Sequence, residues 1–192
     1  MANEEVKVNE TKNSNTNQNQ GGHNKNFKRN RKPREKVLNG QVIEMKRVTK
    51  VTKGGRTMRL SVTYAVGNGK GLVGIGTGKA KEYADAVKKA ENAANKNLIK
   101  VPLVDNRTIP HDTTGKCGRA TVLLKKAKPG TGVIAGGTAR IILELAGVKD
   151  VVSKSLGSNT KLNVAKATID ALLCLKTKEQ IASLRDKKVE EI

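Results

Sequence analysis

Residues Gly67 to Lys89 read GNGKGLVGIGTGKAKEYADAVKK, and this stretch decides the fold that we expect. It begins with glycines at a turn, continues as a short apolar strand from Leu72, and ends in a helix preceded by Lys79 and Lys81. Glycine has no side chain, so another backbone can approach it closely. A helix N-terminus adds unpaired N–H groups and a partial positive charge. The stretch therefore predicts a strand and a helix whose start suits phosphate groups.

The residues before this stretch alternate between apolar and polar side chains. Met58 to Val66 (MRLSVTYAV) has the period of two that is typical of a half-buried antiparallel strand. Val42 to Val48 predicts a preceding strand, and residues 50–56 predict a loop built on Gly54–Gly55. Asn68–Gly69 predicts a hairpin turn. The expected buried face of the following helix carries Ala80, Tyr83, Ala84, Val87, Ala90 and Ala94.

The pattern changes after residue 107. Strands are predicted at Ala120–Leu124 and Val151–Leu156, and helices at about 138–145, 163–175 and 178–188, with Gly147 as a C-cap. The apolar face of the middle helix is expected to carry Val164, Ala167, Ile169, Leu172 and Leu173. The fold class is therefore α+β, with two small α/β domains. These are a β-β-β-α domain at 36–100 and a β-α-β-α domain at 108–192, joined by a linker at 101–107.

Residues 1–35 are rich in Asn, Lys, Gln and Gly and offer almost nothing to bury, so we predict a disordered tail. Its basic end, at residues 25–36, is either a solvated tail or an arm that settles on RNA. The start lacks the layout of a secretion signal, and no apolar run approaches the roughly 20 residues that span a bilayer. We expect a cytoplasmic protein with no membrane partner.

The charge points to a polyanionic partner. The chain carries 38 Lys and Arg against 17 Asp and Glu, a formal net charge of +21. Nucleic acid is favoured over an anionic membrane or an acidic protein because the charge runs through both predicted domains. Phe27, Tyr64 and Tyr83 are the three aromatic residues, too few for a surface on which single-stranded bases stack. We therefore predict contacts to phosphates, sugars and groove shape.

The predicted RNA contacts form two groups of cationic and glycine residues. One surrounds the Gly54–Gly55 loop, and the other lies near the quoted stretch, where Lys88 and Lys89 add further charge. The predicted contact residues are Lys46, Arg47, Thr49, Lys50, Lys53, Gly54, Gly55, Arg56, Lys70, Lys79 and Lys81.

No catalytic, cofactor or metal site is predicted. Cys117 and Cys174 have no metal-binding spacing, and His23 and His111 are isolated. Gly69-x-Gly71-x-x-Gly74 lies between two strands rather than before a helix, so it fails as a dinucleotide motif. Gly130-x-Gly132-x-x-Ala135 has the right neighbours, but Asp150 stands at the beginning rather than the end of the next strand. A nucleotide-dependent enzyme using Gly130 to Ala135 stays as an alternative, as does a free double-stranded-RNA chaperone.

Two segments resemble a known family. RVTKVTKGGRTMRLSVTYAVGNGKGLVGIGTGKAKE, at Arg47 to Glu82, resembles the first domain of the bacterial small-subunit ribosomal protein S5 family. PGTGVIAGGTARIILELAGVKDVVSKSLGSN, at Pro129 to Asn159, resembles its second domain. The resemblance covers about residues 36–176. The chain departs from the usual pattern at Arg107 and Lys126, where the family often has Gly and Pro, and at Thr160–Lys161, where it often has Asn-Pro nearby.

The resemblance implies a double-stranded-RNA-binding-like first domain, and a structural protein that binds ribosomal RNA near the head–body junction and affects translational accuracy. It implies ribosomal proteins S4 and S8 as neighbours, close to the mRNA entry channel. The family's spectinomycin-associated loop corresponds to Arg47, Val48, Thr49 and Lys50. Its accuracy-altering positions at the S4 contact correspond to Gly132 and Arg140.

Overall fold

The computed structural model describes residues 38–187, so the predicted tail and the end of the last predicted helix lie outside the described residues. The first half contains β1 (Asn39–Thr52), β2 (Gly55–Gly67), β3 (Leu72–Ala80), α1 (Tyr83–Lys96) and β4 (Leu98–Lys100). The second half contains β5 (Thr113–Cys117), β6 (Ala120–Lys126), β7 (Val133–Ile134), α2 (Gly137–Ala146), β8 (Val151–Gly157), α3 (Lys161–Leu173) and α4 (Lys178–Arg185). The predicted α+β class is confirmed.

The first sheet has the strand order β1-β2-β3-β4, and all its neighbouring strands are antiparallel. Helix α1 packs on one face of this sheet, against β2 and β3. Its buried row is Ala86, Ala90 and Ala94, and it lies directly on the glycines of β3. A Cβ at Gly76 would lie 2.8 Å from the carbonyl carbon of Ala93. Such close approach requires glycine, so these strand glycines serve helix packing rather than phosphate binding.

The predicted buried face of this helix was partly wrong. Tyr83 is half exposed and Ala84 is exposed, whereas Ala86, which the prediction left out, is fully buried. The reason is the bare surface of β3. Residues spaced by four on α1 fit against glycines spaced by two on the strand, so the contact is a narrow row of alanines. Tyr83 lies at the start of the helix, outside that row.

The second sheet has the order β5-β6-β8-β7, with β7 parallel to β8 and the other pairs antiparallel. The prediction missed β5 (TTGKC) because its inward positions are Thr113 and Gly115 rather than large apolar residues. Gly115 lies under the backbone of α3 near Ala167 and Ala171, as the β3 glycines lie under α1. Leu173, predicted on the buried face of α3, is 56% exposed.

The two sheets share one hydrophobic core. It joins Ala65 and Val73 of the first sheet to Val122 of the second and to Ile142 and Leu172 of the helices α2 and α3. Helix α2 packs against strands of the first sheet and against α3, and α3 packs against β5 and β6. Residues 38–187 accordingly belong to one compact unit.

The β2–β3 turn is bonded directly to the end of α2. The N–H of Gly69 donates to the Leu145 carbonyl over 2.9 Å, and that of Gly71 donates to the Ala146 carbonyl over 2.8 Å. These carbonyls belong to the last helical turn, which has no partners within the helix. Gly147 ends α2 with φ +87°, as predicted for a C-cap, and a Cβ there would collide with Gly69. We call this contact the seam.

Candidate nucleic-acid interface

Strands β1 and β2 form a two-stranded arm, which we define as residues 45–59, and its outer part, residues 48–59, extends beyond the rest of the first sheet. The pairing of β2 with β3 reaches Leu60, opposite Ala80, whereas β1 and β2 stay paired as far as Thr52 and Gly55. Five further residues per strand and the turn give a projection of roughly 20 Å. Every residue of the arm is exposed, so both of its faces are open to a partner.

The arm carries six cationic residues and no acidic residue: Lys46, Arg47, Lys50, Lys53, Arg56 and Arg59. Directly paired residues share a face of an antiparallel ribbon, and Arg47 pairs with Leu60 whereas Lys46 pairs with Ser61. Arg47 and Arg56 therefore lie on the face that continues towards α1, and Lys46, Lys50 and Arg59 on the opposite face. The cations were expected to crowd around the Gly54–Gly55 loop, but they are spread along both faces of the arm.

Apolar side chains are exposed among these cations. Met45 is 53% exposed, Val51 70% and Met58 52%. Met58 continues the alternation of β2, but within residues 38–187 no second layer covers this part of the strand. A cationic ribbon with apolar contacts suits a groove bounded by phosphates, since the stems of such residues pack while the charged groups meet the backbone.

The tip of the arm is shorter than predicted. Thr52 pairs with Gly55, which leaves Lys53 and Gly54 as a two-residue turn in place of the predicted loop at 50–56. The Thr52 hydroxyl donates to the Gly55 carbonyl over 3.1 Å. Gly55 has φ +134°, a conformation that favours glycine. The four positions that the family resemblance implied as a loop are strand residues paired with residues 57–60: Arg47, Val48, Thr49 and Lys50.

The structure brings Lys79 to the base of the arm. Lys79 pairs with Ser61, which in turn pairs with Lys46, so the two lysines lie on one face about 10 Å apart. Lys81 follows β3 and is exposed. Helix α1 begins at Tyr83, with Glu82 as its N-cap and Asp85 in its first turn, so the predicted lysine-led helix start also carries acidic groups.

Lys70 lies apart from the other predicted contacts. It is in the β2–β3 turn, beyond Leu72, the first residue of β3, which is seven positions or about 24 Å from Lys79. There it lines a groove of about 850 Å³ with Lys100 and Lys176. The two predicted groups are thus one site around the arm and a separate lysine at the opposite end of the sheet.

At the base of the arm, Glu44 partly offsets the positive charge. Its Oε2 lies 3.2 Å from Lys46 Nζ, and its Oε1 lies 4.0 Å from Lys161 Nζ. Lys161 begins α3 in the second half of the chain. Lys46 is therefore partly neutralised within the protein, which leaves the cations of the outer arm as the stronger candidates for phosphate contact.

A second candidate surface surrounds the loop at residues 128–132. Gly130 and Gly132 have φ +90° and +77°, and both donate their N–H groups to Oδ1 of Asp150 over 3.0 Å. In a nucleotide-binding loop such N–H groups would hold a phosphate. Here a carboxylate of the same chain takes that position, which argues against the alternative of a nucleotide site at Gly130 to Ala135.

Of the two predicted S4-contact residues, Gly132 lies in this loop and Arg140 lies in the first turns of α2. Arg140 is exposed, and its Nε donates to Glu144 Oε1 one turn later over 2.9 Å. An exposed pair of this kind contributes little to stability, so Arg140 is available to a partner.

Two family models match the chain. The model for ribosomal protein S5, N-terminal domain, matches residues 38–102, and that for ribosomal protein S5, C-terminal domain, matches residues 115–185. Together they cover most of the sequence. The chain belongs to the ribosomal protein S5 family. The S5 chain is thus a structural protein of the small ribosomal subunit that binds ribosomal RNA, and its family is non-enzymatic.

Among residues 38–187, no helix is long and apolar enough to cross a bilayer. Over the same range, no three His, Cys, Asp or Glu side chains are grouped so that they could share a metal ion. Cys117 and Cys174 are free thiols.

Two features of the S5 interface were missed from the sequence. Arg59 was left out of the predicted contacts, although it extends the cationic face of the arm; its position in the alternating strand was the available signal. The bond between Arg107 and Asp150 joins residues 43 positions apart. A departure from the family pattern at Arg107 was noted, but nothing local in the sequence identifies its partner.

Proposed function

We propose that this S5 protein grips folded ribosomal RNA with its arm, through contacts to the phosphate backbone and the groove rather than to base edges. The observation that carries the proposal is that the arm has six cations and no acidic residue, and that four of the cations lie on the part that projects about 20 Å beyond the sheet. The contact residues proposed are Lys46, Arg47, Thr49, Lys50, Lys53, Gly54, Gly55, Arg56, Arg59, Lys79 and Lys81, with Lys70 as a separate contact.

We further propose that the two halves act as domains in the sense expected from the sequence, with limits near residues 100 and 108. The arm half would hold RNA, and the loop at 128–132 with Arg140 would contact ribosomal protein S4. In this arrangement the protein stabilises the head–body junction near the mRNA entry channel, with S8 as a further neighbour in the cytoplasm. The exposure of Arg140 and of the loop tip supports a protein contact there.

The deciding experiment reverses the charge at the tip of the arm. In Lys53→Glu/Arg56→Glu, two cations that meet phosphates become anions, so incorporation into small subunits should fall on sucrose gradients. Binding to an isolated ribosomal RNA fragment should also weaken. The log–log salt slope should become shallower by about 1.5, since each phosphate contact contributes about 0.7 to 0.9.

The matched control is Lys154→Glu/Lys178→Glu, which makes the same change in net charge at two exposed positions outside the predicted contacts. It should retain incorporation and the salt slope. Equal losses in the two variants would show an effect of overall charge, and normal incorporation of the arm variant would remove the arm as an RNA contact.

A further inference from the structure

Asp150 is a carboxylate buried between the loop at 128–132 and the segment that holds Arg107. It is 2% exposed and directly precedes β8. Oδ1 accepts the N–H groups of Gly130 and Gly132, and Oδ2 accepts the Nε–H of Arg107, all over 3.0 Å. A buried charge is tolerated when its hydrogen-bonding capacity is filled in this way.

The backbone around Asp150 is fixed as well. The N–H groups of Lys149 and Asp150 both donate to the Arg107 carbonyl, over 2.7 and 3.1 Å. The Thr108 hydroxyl donates to the Asp150 carbonyl over 2.7 Å. The Arg107 segment and Asp150 are therefore held together by main-chain bonds as well as by their ion pair, and they form one support beneath the loop.

The loop at 128–132 depends on that support for its shape. Gly130 and Gly132 both adopt left-handed conformations, and their N–H groups converge on one oxygen. Outside this contact, Thr131 closes the turn on the Lys128 carbonyl, through its N–H over 3.2 Å and its hydroxyl over 2.8 Å. Residues 128–131 are exposed. The inner edge of the loop is thus satisfied by Asp150, and the outer edge is free for a partner.

We propose that Asp150, supported by Arg107, is a positioning residue that holds the loop at 128–132 ready for docking and closes its N–H groups to phosphate. Its relevance to S4 rests on the proposed contact at Gly132. A loop fixed before binding loses less conformational entropy on association. RNA phosphates are then left to the arm, and the loop presents its outer edge to a protein.

The ionisation of Asp150 agrees with this geometry. The N–H of Gly132 lowers the pKa of the Asp150 carboxyl, as do Arg107 and the N–H of Gly130, while burial acts in the opposite direction. The group is therefore charged at neutral pH, so its negative charge is present to bind the two N–H groups.

The test uses the full-length protein labelled with ¹⁵N and compares Asp150→Ala, Asp150→Asn and Arg107→Ala. In Asp150→Ala the Gly130 and Gly132 amides should exchange with solvent about tenfold faster or more, since hydrogen bonds to a charged acceptor are lost. Asp150→Asn keeps an oxygen that can accept both N–H groups but directs an NH₂ group at Arg107. Its two glycine amides should therefore lose less protection than those of Asp150→Ala. Arg107→Ala should retain most of the protection.

Rescue separates positioning from a general loss of stability. Formate added to Asp150→Ala should restore the shifts of the two glycine amides, and inorganic phosphate should perturb them in that variant but not in the wild type. Wild-type amides that respond to phosphate would overturn the proposal, as would Asp150→Ala amides that exchange as in the wild type.

Two further measurements keep the outcome decisive. If Asp150→Ala does not fold, the double variant Asp150→Asn/Arg107→Ala takes its place. Removing Arg107 relieves the clash between its guanidinium and the introduced NH₂ group, so the two glycine amides should be better protected than in Asp150→Asn alone. No increase in protection would overturn the proposal. Subunit incorporation of the same variants tests the S4 contact separately. A released loop with normal incorporation would contradict that contact while supporting the hold of Asp150 on the loop.

Discussion

Replacing Gly76 by alanine tests the packing of α1 on β3. The added Cβ would lie 2.8 Å from the Ala93 carbonyl carbon and closer still to Ala90 O and Ala94 N. Ordinary contacts between carbon atoms are about 3.5–4.0 Å, so the helix would have to move by about 1 Å. Because the atoms met are backbone, no side-chain rotation can relieve the clash.

The expected cost follows from two opposing effects. Overpacking a well-packed core costs about 1–3 kcal/mol, whereas replacing glycine restricts the unfolded chain and returns about 0.4–1 kcal/mol. The free energy of unfolding should therefore fall by about 1–2 kcal/mol. For a chain of this size, that lowers Tm by about 2–8 °C.

The assay is thermal unfolding followed by circular dichroism, with urea unfolding as a second measure. Gly54→Ala is the matched control because nothing lies within 4 Å of the added Cβ and its φ is outside the left-handed region. That variant should unfold at the wild-type temperature or slightly above it. A Gly76→Ala midpoint within about 1 °C of the Gly54→Ala midpoint would refute the packing argument.

Three further outcomes are expected. Because the folded pKa of Asp150 is lowered, its contribution to stability is full above its unfolded pKa and is lost as pH falls through the folded pKa. The difference in Tm between wild type and Asp150→Asn should thus shrink below about pH 5, and a constant difference would contradict this. Arg140→Leu should weaken the proposed S4 contact and raise stop-codon readthrough in a reporter strain; unchanged readthrough would remove that role. Gly147→Ala, strained at φ +87° and pressed against Gly69, should lower Tm more than Gly136→Ala, whose Cβ meets open space.

Much of the fold could be predicted from local patterns. The alternation of residues 58–66 predicted β2, and Gly147 was correctly predicted to end α2. Strand β5 was missed because glycine and threonine, rather than large apolar residues, face α3. Met58 belongs to the alternating strand yet is exposed, because alternation reports the two faces of a strand and not whether another layer covers either face.

The site was predictable in composition but not in arrangement. Charge alone predicted the cationic residues of the arm other than Arg59, because excess cations without acidic neighbours need no tertiary information. It could not separate Lys70 from Lys79, since their distance depends on the direction and length of β3. The burial and hydrogen bonding of Asp150 could not be predicted either, because its partners lie 18 to 43 positions away in the chain.

The seam has a mechanical consequence. Pulling the first half away from the second would strip the Leu145 and Ala146 carbonyls of their donors and open the shared core at the same moment. The arm and the 128–132 loop should therefore stay at a constant distance from each other. A force applied to the arm or to the 128–132 loop should be transmitted to the other, because no hinge lies between them within residues 38–187. A chain whose backbone is cleaved near residue 105 should stay assembled.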